Sequence, residues 1–251
     1  MLLYGAEDHL MTVTDAINAD LHRHSFIQVS VALDSPFQIA VGGEPFYCEG
    51  LVINSNVKHH LDGQKKRMLL LLICNTSQLA QAFKKKLDGQ PFYLLSSREV
   101  KSLSAHVLDG CKSITDAKGY SPFLGHLLKL LAVSYEEPVI TDPRVTEVIR
   151  IIRKCSSDEH GIDKLAEQVH LSPSRLSHLF KENTGMALSG YLLMHKLQKA
   201  VYLVFSGKTI TEAALSAGFD SPSHFAAVSK SRLGMSARDI SKDSVFLKVS
   251  H

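Results

Sequence analysis

The feature of this chain that most constrains its fold is an internal repeat. SPSRLSHLFK runs from Ser172 to Lys181, and SPSHFAAVSK runs from Ser221 to Lys230. A glycine–methionine pair follows each copy at the same offset. In both copies the serine suits the N-cap of a helix and the proline suits its first turn, so each stretch is predicted to begin a helix at a defined residue. The same helical unit is therefore expected twice.

A shorter amphipathic stretch precedes each of these helices. The two stretches are DKLAEQV at 163–169 and ITEAALSA at 210–217, and Gly218 suits the left-handed turn that would end the second. A short helix, a tight turn and a second helix make a helix-turn-helix unit, whose second helix enters the major groove of DNA. One such outline is weak evidence, but two copies at one internal spacing predict a pair of DNA-binding units.

Helical periodicity separates the inward from the outward positions of the two recognition helices. Leu176, Leu179 and Phe180 form the core-facing stripe of the first, while Phe225 and Val228 pack inward in the second. The opposite faces, with two lysines of the apolar connecting helix, are predicted to contact DNA. The predicted DNA-contacting residues are Ser174, Arg175, Ser177, His178, Lys181, Lys196, Lys199, Ser223, Ala226, Ala227 and Lys230. The first stripe carries more hydrogen-bonding groups, so we expect sharper base recognition there.

These segments resemble the AraC/XylS family of bacterial transcription regulators. The matching residues are LAEQVHLSPSRLSHLFKENTGMAL, YLLMHKLQKAVYLV and ITEAALSAGFDSPSHF. The resemblance implies two units that enter successive major grooves of double-stranded promoter DNA, with RNA polymerase as a further partner. The second unit departs from the family pattern at Ala227 and Ser229, where an arginine and a core phenylalanine are usual.

A domain boundary is predicted near residue 140, where a proline-rich charged segment precedes a new apolar spacing. The residues before it contain short apolar runs separated by turn residues, which predict a barrel or a sandwich. The predicted strands are 26–33, 37–41, 51–54, 57–61 and 68–74, followed by helices at about 77–87, 98–112 and 122–135. The last helix carries an apolar stripe that suits either packing on its own sheet or a homodimer contact. The predicted fold is α+β, with a cupin-like sensing and dimerisation domain at 1–140 and an all-α DNA-binding domain at 141–251.

The cupin-like assignment rests on a fainter resemblance of HRHSFIQVSVAL and CEGLVINSNVKHHL to the sensor barrel that many AraC-type regulators carry. In cupin enzymes the corresponding His-x-His pair, a glutamate and a later histidine hold a metal ion. Here His22 and His24 alternate on one strand face, Gln28 stands where the glutamate would be, and His59 or His60 is the candidate for the last position. An amide lacks the charge that a divalent ion favours, so the sequence argues against a metal. These five residues are instead predicted to line an effector pocket, with structural or interface histidines as a strong alternative and a metal site as a weaker one.

The sequence thus predicts a homodimeric transcription regulator controlled by a small molecule, with no catalytic activity and no cofactor. One alternative is a metal-dependent cupin enzyme joined to a helical domain, and another is a barrel that serves only for protein contacts. No apolar run approaches the length of a membrane helix, and the N-terminus lacks a signal pattern, so we expect a cytoplasmic protein.

Overall fold

The computed structural model describes residues 1–6, 8–15, 17–134, 140–154, 161–233 and 245–249. The strands are β1 (Leu2–Gly5), β2 (His9–Thr14), β3 (Asn18–His22), β4 (Phe26–Ala32), β5 (Phe37–Val41), β6 (Phe46–Cys48), β7 (Gly50–Ile53), β8 (His59–Asp62), β9 (Met68–Cys74), β10 (Phe92–Leu94) and β11 (Val245–Lys248). The helices are α1 (Gln78–Leu87), α2 (Ser97–Gly110), α3 (Ala117–Leu130), α4 (Pro143–Lys154), α5 (Ile162–Gln168), α6 (Pro173–Thr184), α7 (Leu188–Phe205), α8 (Ile210–Ala217) and α9 (Pro222–Leu233). The predicted α+β arrangement, a β-rich N-terminal part followed by a helical part, is confirmed.

The strands form two sheets. The larger has the order β10-β7-β4-β9-β2-β1-β11, and the smaller has the order β3-β8-β5-β6. In β9, Leu69 and Leu71 face the helices α1 to α3, while Leu70 packs between the sheets with Phe37 and Ile39. Both faces of β9 are therefore covered, which explains why its sequence is an unbroken apolar run instead of an alternating one.

Five of the predicted strands lie where the sequence placed them, within about two residues, as β4, β5, β7, β8 and β9. The strands β1, β2, β3, β6 and β10 were missed, and β11 was missed in a part predicted to be all-α. The third predicted helix was misplaced by five residues at its start, since α3 begins at Ala117. Asp116 caps it, because its carboxylate accepts a hydrogen bond from the Gly119 N–H at 2.9 Å. Pro122, taken from the sequence as the first residue of this helix, lies inside it. Tyr135 of its predicted apolar stripe lies outside the described residues.

The C-terminal helices pack around α7, and α7 also packs against the N-terminal sheet. One apolar cluster joins Leu3, Phe26 and Leu72 of the sheet to Met194 and Leu197 of α7. These side chains are all almost fully buried. The two predicted domains therefore share a hydrophobic core. Because this core is closely packed, a displacement of side chains in one domain is transmitted to the other.

Two further contacts hold this junction. The Gln198 side-chain amide of α7 donates a hydrogen bond to the Ala6 carbonyl oxygen, and Gln198 is buried. Gly185, which ends α6 with φ +69°, lies against the side chain of Gln78 in α1. The turn between α6 and α7 therefore contacts the N-terminal part directly.

The end of the chain returns to the N-terminal part. β11 pairs in parallel with β1, with Leu2 opposite Val245 and Gly5 opposite Lys248. Residues 245–248, which the sequence analysis assigned to the DNA-binding domain, thus lie at the edge of the larger sheet.

Replacing Gly185 with Ala should measure how closely the two parts are packed. Its Cβ would lie 2.2 Å from Gln78 Cγ, and Gly207, with φ +89°, has no atom within 4 Å of such a Cβ. Both Gly→Ala changes strain a left-handed backbone, by about 1 kcal/mol or more. We expect Gly185→Ala to lower the free energy of unfolding in urea by about 1–3 kcal/mol more than Gly207→Ala does, because of overpacking. Equal losses for the two variants would contradict the close contact.

Candidate functional site

The first helix-turn-helix unit consists of α5, a short turn and α6. Ser172 caps α6, since its hydroxyl oxygen accepts a hydrogen bond from the Arg175 N–H at 3.2 Å, and Pro173 is the first helical residue. His170 holds the left-handed conformation in the turn, with φ 55°. The N-cap and the proline lie where the sequence predicted them.

The second unit consists of α8, its turn and α9. Thr209 and Glu212 form a capping box that begins α8, and Gly218 ends it in the left-handed conformation with φ 90°. Ser221 repeats the role of the first capping serine, because its hydroxyl oxygen accepts a hydrogen bond from the His224 N–H at 3.0 Å. The repeat in the sequence is therefore a repeat of capping and turn geometry.

The inward and outward faces of the two recognition helices follow the predicted periodicity. Leu176, Phe180 and Phe225 are fully buried. Ser229, which stands where a core phenylalanine was expected, is also fully buried. The exposed residues of the predicted DNA-contacting set are Ser174, Arg175, His178, Lys181, Ser223, Ala226, Ala227 and Lys230.

The other predicted DNA-contacting side chains are half-buried. Lys196 Nζ donates a hydrogen bond of 2.7 Å to the Gly218 carbonyl oxygen, so this ammonium stabilises the turn of the second unit. The Ser177 hydroxyl donates to the Pro173 carbonyl oxygen at 2.8 Å and keeps its lone pairs as acceptors. Lys199 is half-buried on α7.

Sequence reasoning missed one exposed side chain at the start of α9. His224 lies beside Asp220, with 3.0 Å between Nδ1 and the carboxylate oxygen. His224 follows Ser223 and precedes the buried Phe225 in the sequence. Helical periodicity could therefore have placed its side chain near the outward stripe.

A second candidate site lies in the N-terminal part, where three of the predicted histidines meet. His22 ends β3 and is directly opposite His59, which begins β8. His24 follows in the connection to β4. The ring centroids are 4.4 Å apart for His22 and His59, 5.0 Å for His24 and His59, and 5.3 Å for His22 and His24. His60 is half-buried and does not belong to this group of three, as expected for the next residue of the strand, whose side chain faces the opposite side.

Each of the three rings uses one nitrogen in a hydrogen bond to an oxygen outside the cluster. His22 Nδ1 lies 2.6 Å from the Asp20 carbonyl oxygen, and His59 Nδ1 lies 2.9 Å from the Val57 carbonyl oxygen. The inner nitrogens have no hydrogen-bond partner among the described residues; they are His22 Nε2, His24 Nδ1 and His59 Nε2.

Gln28 belongs to this site, but it does not line an open pocket. Its amide oxygen lies 2.9 Å from His24 Nε2, and its amide nitrogen donates to the Ser30 hydroxyl at 2.9 Å. Gln28 and Ser30 are both buried. The glutamine therefore orients the imidazole of His24.

Burial keeps the three imidazoles neutral at neutral pH. Desolvation lowers the pKa of His24 to about 4 and that of His59 to about 3. Desolvation also lowers the pKa of His22, and the charge of Lys230 acts weakly in the same direction. The charge of Lys230 on α9 thus acts on the histidine group.

A cleft of about 370 Å³ lies where the two parts of the chain meet. Phe26 and Cys74 of the sheet face Gly190 and Met194 of α7 across it. Ser25, Thr76 and Ser189 add hydroxyl groups to the lining. An apolar cleft with a few polar groups suits a small molecule, and this one is bounded by both parts of the chain.

Comparison with known proteins supports the C-terminal assignment. Residues 165–243 match a family model described as a helix-turn-helix domain. The arabinose operon regulatory protein of Salmonella typhimurium is 32% identical over 115 residues, which are 44% of this chain and 40% of that protein. The Msm operon regulatory protein of Streptococcus mutans is 27% identical over 130 residues, which are 48% of this chain and 47% of that protein. The chain thus spans less than half the length of these two relatives.

A third relative matches both parts of the chain. The HTH-type transcriptional activator RhaR of Pectobacterium carotovorum is 25% identical over 243 residues, which are 86% of this chain and 84% of that protein. The chain therefore carries a helix-turn-helix domain of the AraC type, and the resemblance seen in the sequence is confirmed. Among the described helices, none combines the length and the apolar character needed to cross a bilayer.

The capping serine of the first recognition helix should contribute measurably to stability. Ser172→Ala removes the acceptor for the Arg175 N–H, so we expect the free energy of unfolding to fall by about 1 kcal/mol. Ser174→Ala, an exposed change in the same helix, is the matched control and should alter it by less than about 0.5 kcal/mol. Urea unfolding followed by circular dichroism measures both, and a Ser172→Ala variant as stable as the control would contradict the cap.

Proposed function

We propose that this protein is a transcription regulator that binds promoter DNA through α6 and α9. The observation that carries the proposal is the pair of capped helices in an AraC-type domain, each with an exposed stripe opposite its buried face. Helices of this kind enter the major groove, where side chains reach the edges of base pairs. The two sub-sites should then lie about 10 base pairs apart.

The two helices are proposed to share recognition unequally. Arg175 and His178 of α6 are exposed and offer hydrogen-bonding groups, whereas Ala226 and Ala227 of α9 offer only methyl groups. A methyl group contacts thymine but neither donates nor accepts a hydrogen bond, so α9 mainly positions the protein on the backbone.

Control by a small molecule is the second part of the proposal. The N-terminal part, which we take to be cupin-like, is proposed to bind an effector and to form the homodimer, and RNA polymerase is a proposed further partner. The shared core supports effector control, because α7 joins both helix-turn-helix units and packs on the sheet through Met194 and Leu197. A ligand that shifts this contact would change how the two units are presented to DNA.

Substituting Arg175 should relax sequence preference, while substituting Lys230 should not. A bidentate arginine contact to guanine discriminates by about 1–3 kcal/mol, so Arg175→Ala should lose preference at particular base pairs. Lys230→Ala should weaken binding to all sequences alike, because a phosphate contact carries no sequence information. Selection of bound DNA from a random library measures both, with Lys101→Ala, an exposed change on α2, as the control. A preference that is equally sharp under both helices would contradict the unequal sharing.

The affinity for DNA should fall steeply with salt concentration. Each phosphate contact contributes about −0.9 to the slope of log K against log salt, because bound counterions are released. Lys181→Ala and Lys230→Ala should each make the slope shallower by about that amount if both lysines contact phosphates. Fluorescence anisotropy with a labelled duplex over a salt series gives the slope. An affinity that does not change with salt would refute the proposed DNA surface.

A further inference from the structure

We propose that His224 reads one base pair under α9 as a hydrogen-bond acceptor and that Asp220 holds its ring in position. The inference rests on the proposed function and adds a base-reading side chain to a helix whose exposed middle turn, Ala226 and Ala227, offers only methyl groups. His224 is thus a specificity-determining residue, and Asp220 is a positioning residue.

The internal repeat places His224 at the position that Arg175 holds in the first unit. Each follows its capping serine by three residues, and its backbone N–H donates to that serine's hydroxyl oxygen, at 3.2 Å for Arg175 and 3.0 Å for His224. The next residue along the chain is fully buried in both helices. The two side chains therefore leave their helices in the same turn and in the same direction relative to the core.

The first turn of a recognition helix is the part that reaches the base edges. In helix-turn-helix proteins the N-terminal residues of the second helix contact the bases. The His224 side chain is 46% exposed, so it is open to a duplex laid against α9. Ser223 beside it is also exposed, but a hydroxyl both donates and accepts hydrogen bonds and therefore discriminates less between bases.

Two contacts fix the orientation of the His224 ring. Its Nδ1 lies 3.0 Å from a carboxylate oxygen of Asp220. The ring also meets the ring of Phe219 edge to face, with centroids 5.4 Å apart and planes at 89°. Phe219 is buried in the core of the C-terminal helices and so offers the histidine a fixed surface. A side chain that is already oriented loses less conformational freedom on binding.

These contacts decide which hydrogen-bonding group faces outward. An ionised carboxylate only accepts hydrogen bonds, so Nδ1 carries the proton that it donates to Asp220. In the neutral imidazole Nε2 is then an acceptor. In the major groove the amino groups of adenine and cytosine are donors, whereas guanine and thymine present acceptor oxygens. His224 therefore selects adenine or cytosine on the strand that it contacts.

The first unit has the opposite hydrogen-bonding character at the equivalent position. Arg175 has only donors, and Leu171 stands where Asp220 stands in the second unit. A guanidinium selects guanine, because guanine presents two acceptors in the major groove. Equivalent positions of the two sub-sites are therefore read with opposite polarity, which gives the bound protein one orientation on the DNA.

Exchange of the equivalent residues tests the inference. Full-length wild type, His224→Ala and His224→Arg are each used to select duplexes from a library that is randomised over both sub-sites. For the wild type we expect adenine or cytosine to be preferred about 3- to 10-fold at one position under α9, the range for one net hydrogen bond. His224→Ala should lose this preference, and His224→Arg should replace it with a preference for guanine. The pattern under α6 should be the same for all three proteins.

The possible failures are distinguishable. His126→Arg, the same substitution at an exposed histidine of α3, is the matched control and should select as the wild type does. A wild-type preference for guanine or thymine at that position, or no preference, would overturn the acceptor role. Variants of His224 that select as the wild type does would overturn the contact itself, while two selected sub-sites would still support the proposed function. Wild-type protein that selects no sequence would overturn the proposed function, and this inference with it.

Two substitutions of Asp220 test the positioning role. Asp220→Ala removes the acceptor for Nδ1 and should weaken the preference at the same base pair about 2- to 5-fold. It should not weaken binding to unselected DNA, because a carboxylate repels phosphates. Asp220→Asn keeps an acceptor oxygen and should retain the wild-type preference. An Asp220→Ala protein with the wild-type preference, or an Asp220→Asn protein without it, would overturn the role assigned to Asp220.

Discussion

The packing of α7 against the N-terminal sheet is the interaction on which the rest of the structure depends. This helix carries apolar residues on several sides, and they bury against both helix-turn-helix units and against Leu3, Phe26 and Leu72. Close packing in such a core transmits displacements, because interiors have few voids to absorb them. The relation between the N-terminal sheet and the helix-turn-helix units is therefore set by a continuous apolar contact. The buried Gln198 amide also donates a hydrogen bond to the Ala6 carbonyl oxygen, and this directional bond orients α7 on the N-terminal part.

The two helix-turn-helix units show how similar local chemistry supports different surfaces. Each recognition helix begins at a capped serine and a proline, and each preceding turn contains a left-handed residue, His170 in one unit and Gly218 in the other. The outward faces differ in their middle turns, where α6 presents His178 and α9 presents Ala226 and Ala227; Ser223, His224 and Lys230 of α9 are also exposed. Lys196 shows a further division of roles, since its ammonium stabilises the second turn through the Gly218 carbonyl.

The histidine group belongs to the N-terminal part, whereas the cleft is bounded by both parts of the chain. The histidines lie where β3 meets β8, whereas the cleft lies between the end of β9 and the start of α7. The pKa of His22 is lowered by desolvation and, more weakly, by the charge of Lys230 on α9.

The sequence by itself determined the DNA-binding units, the strand-rich N-terminal part and most helix starts. These follow from capping residues, prolines and apolar periodicity, which act over a few neighbouring residues. The remaining features were decided by the tertiary structure, because they depend on contacts between residues that are far apart in the chain. The pairing of His22 with His59 turned two separate histidine motifs into one cluster, and His60 could be excluded only once the register of β8 was known. The position of β11 beside β1 and the contact of Gly185 with Gln78 could not be read from local pattern either, since nothing in a short segment specifies its distant partner.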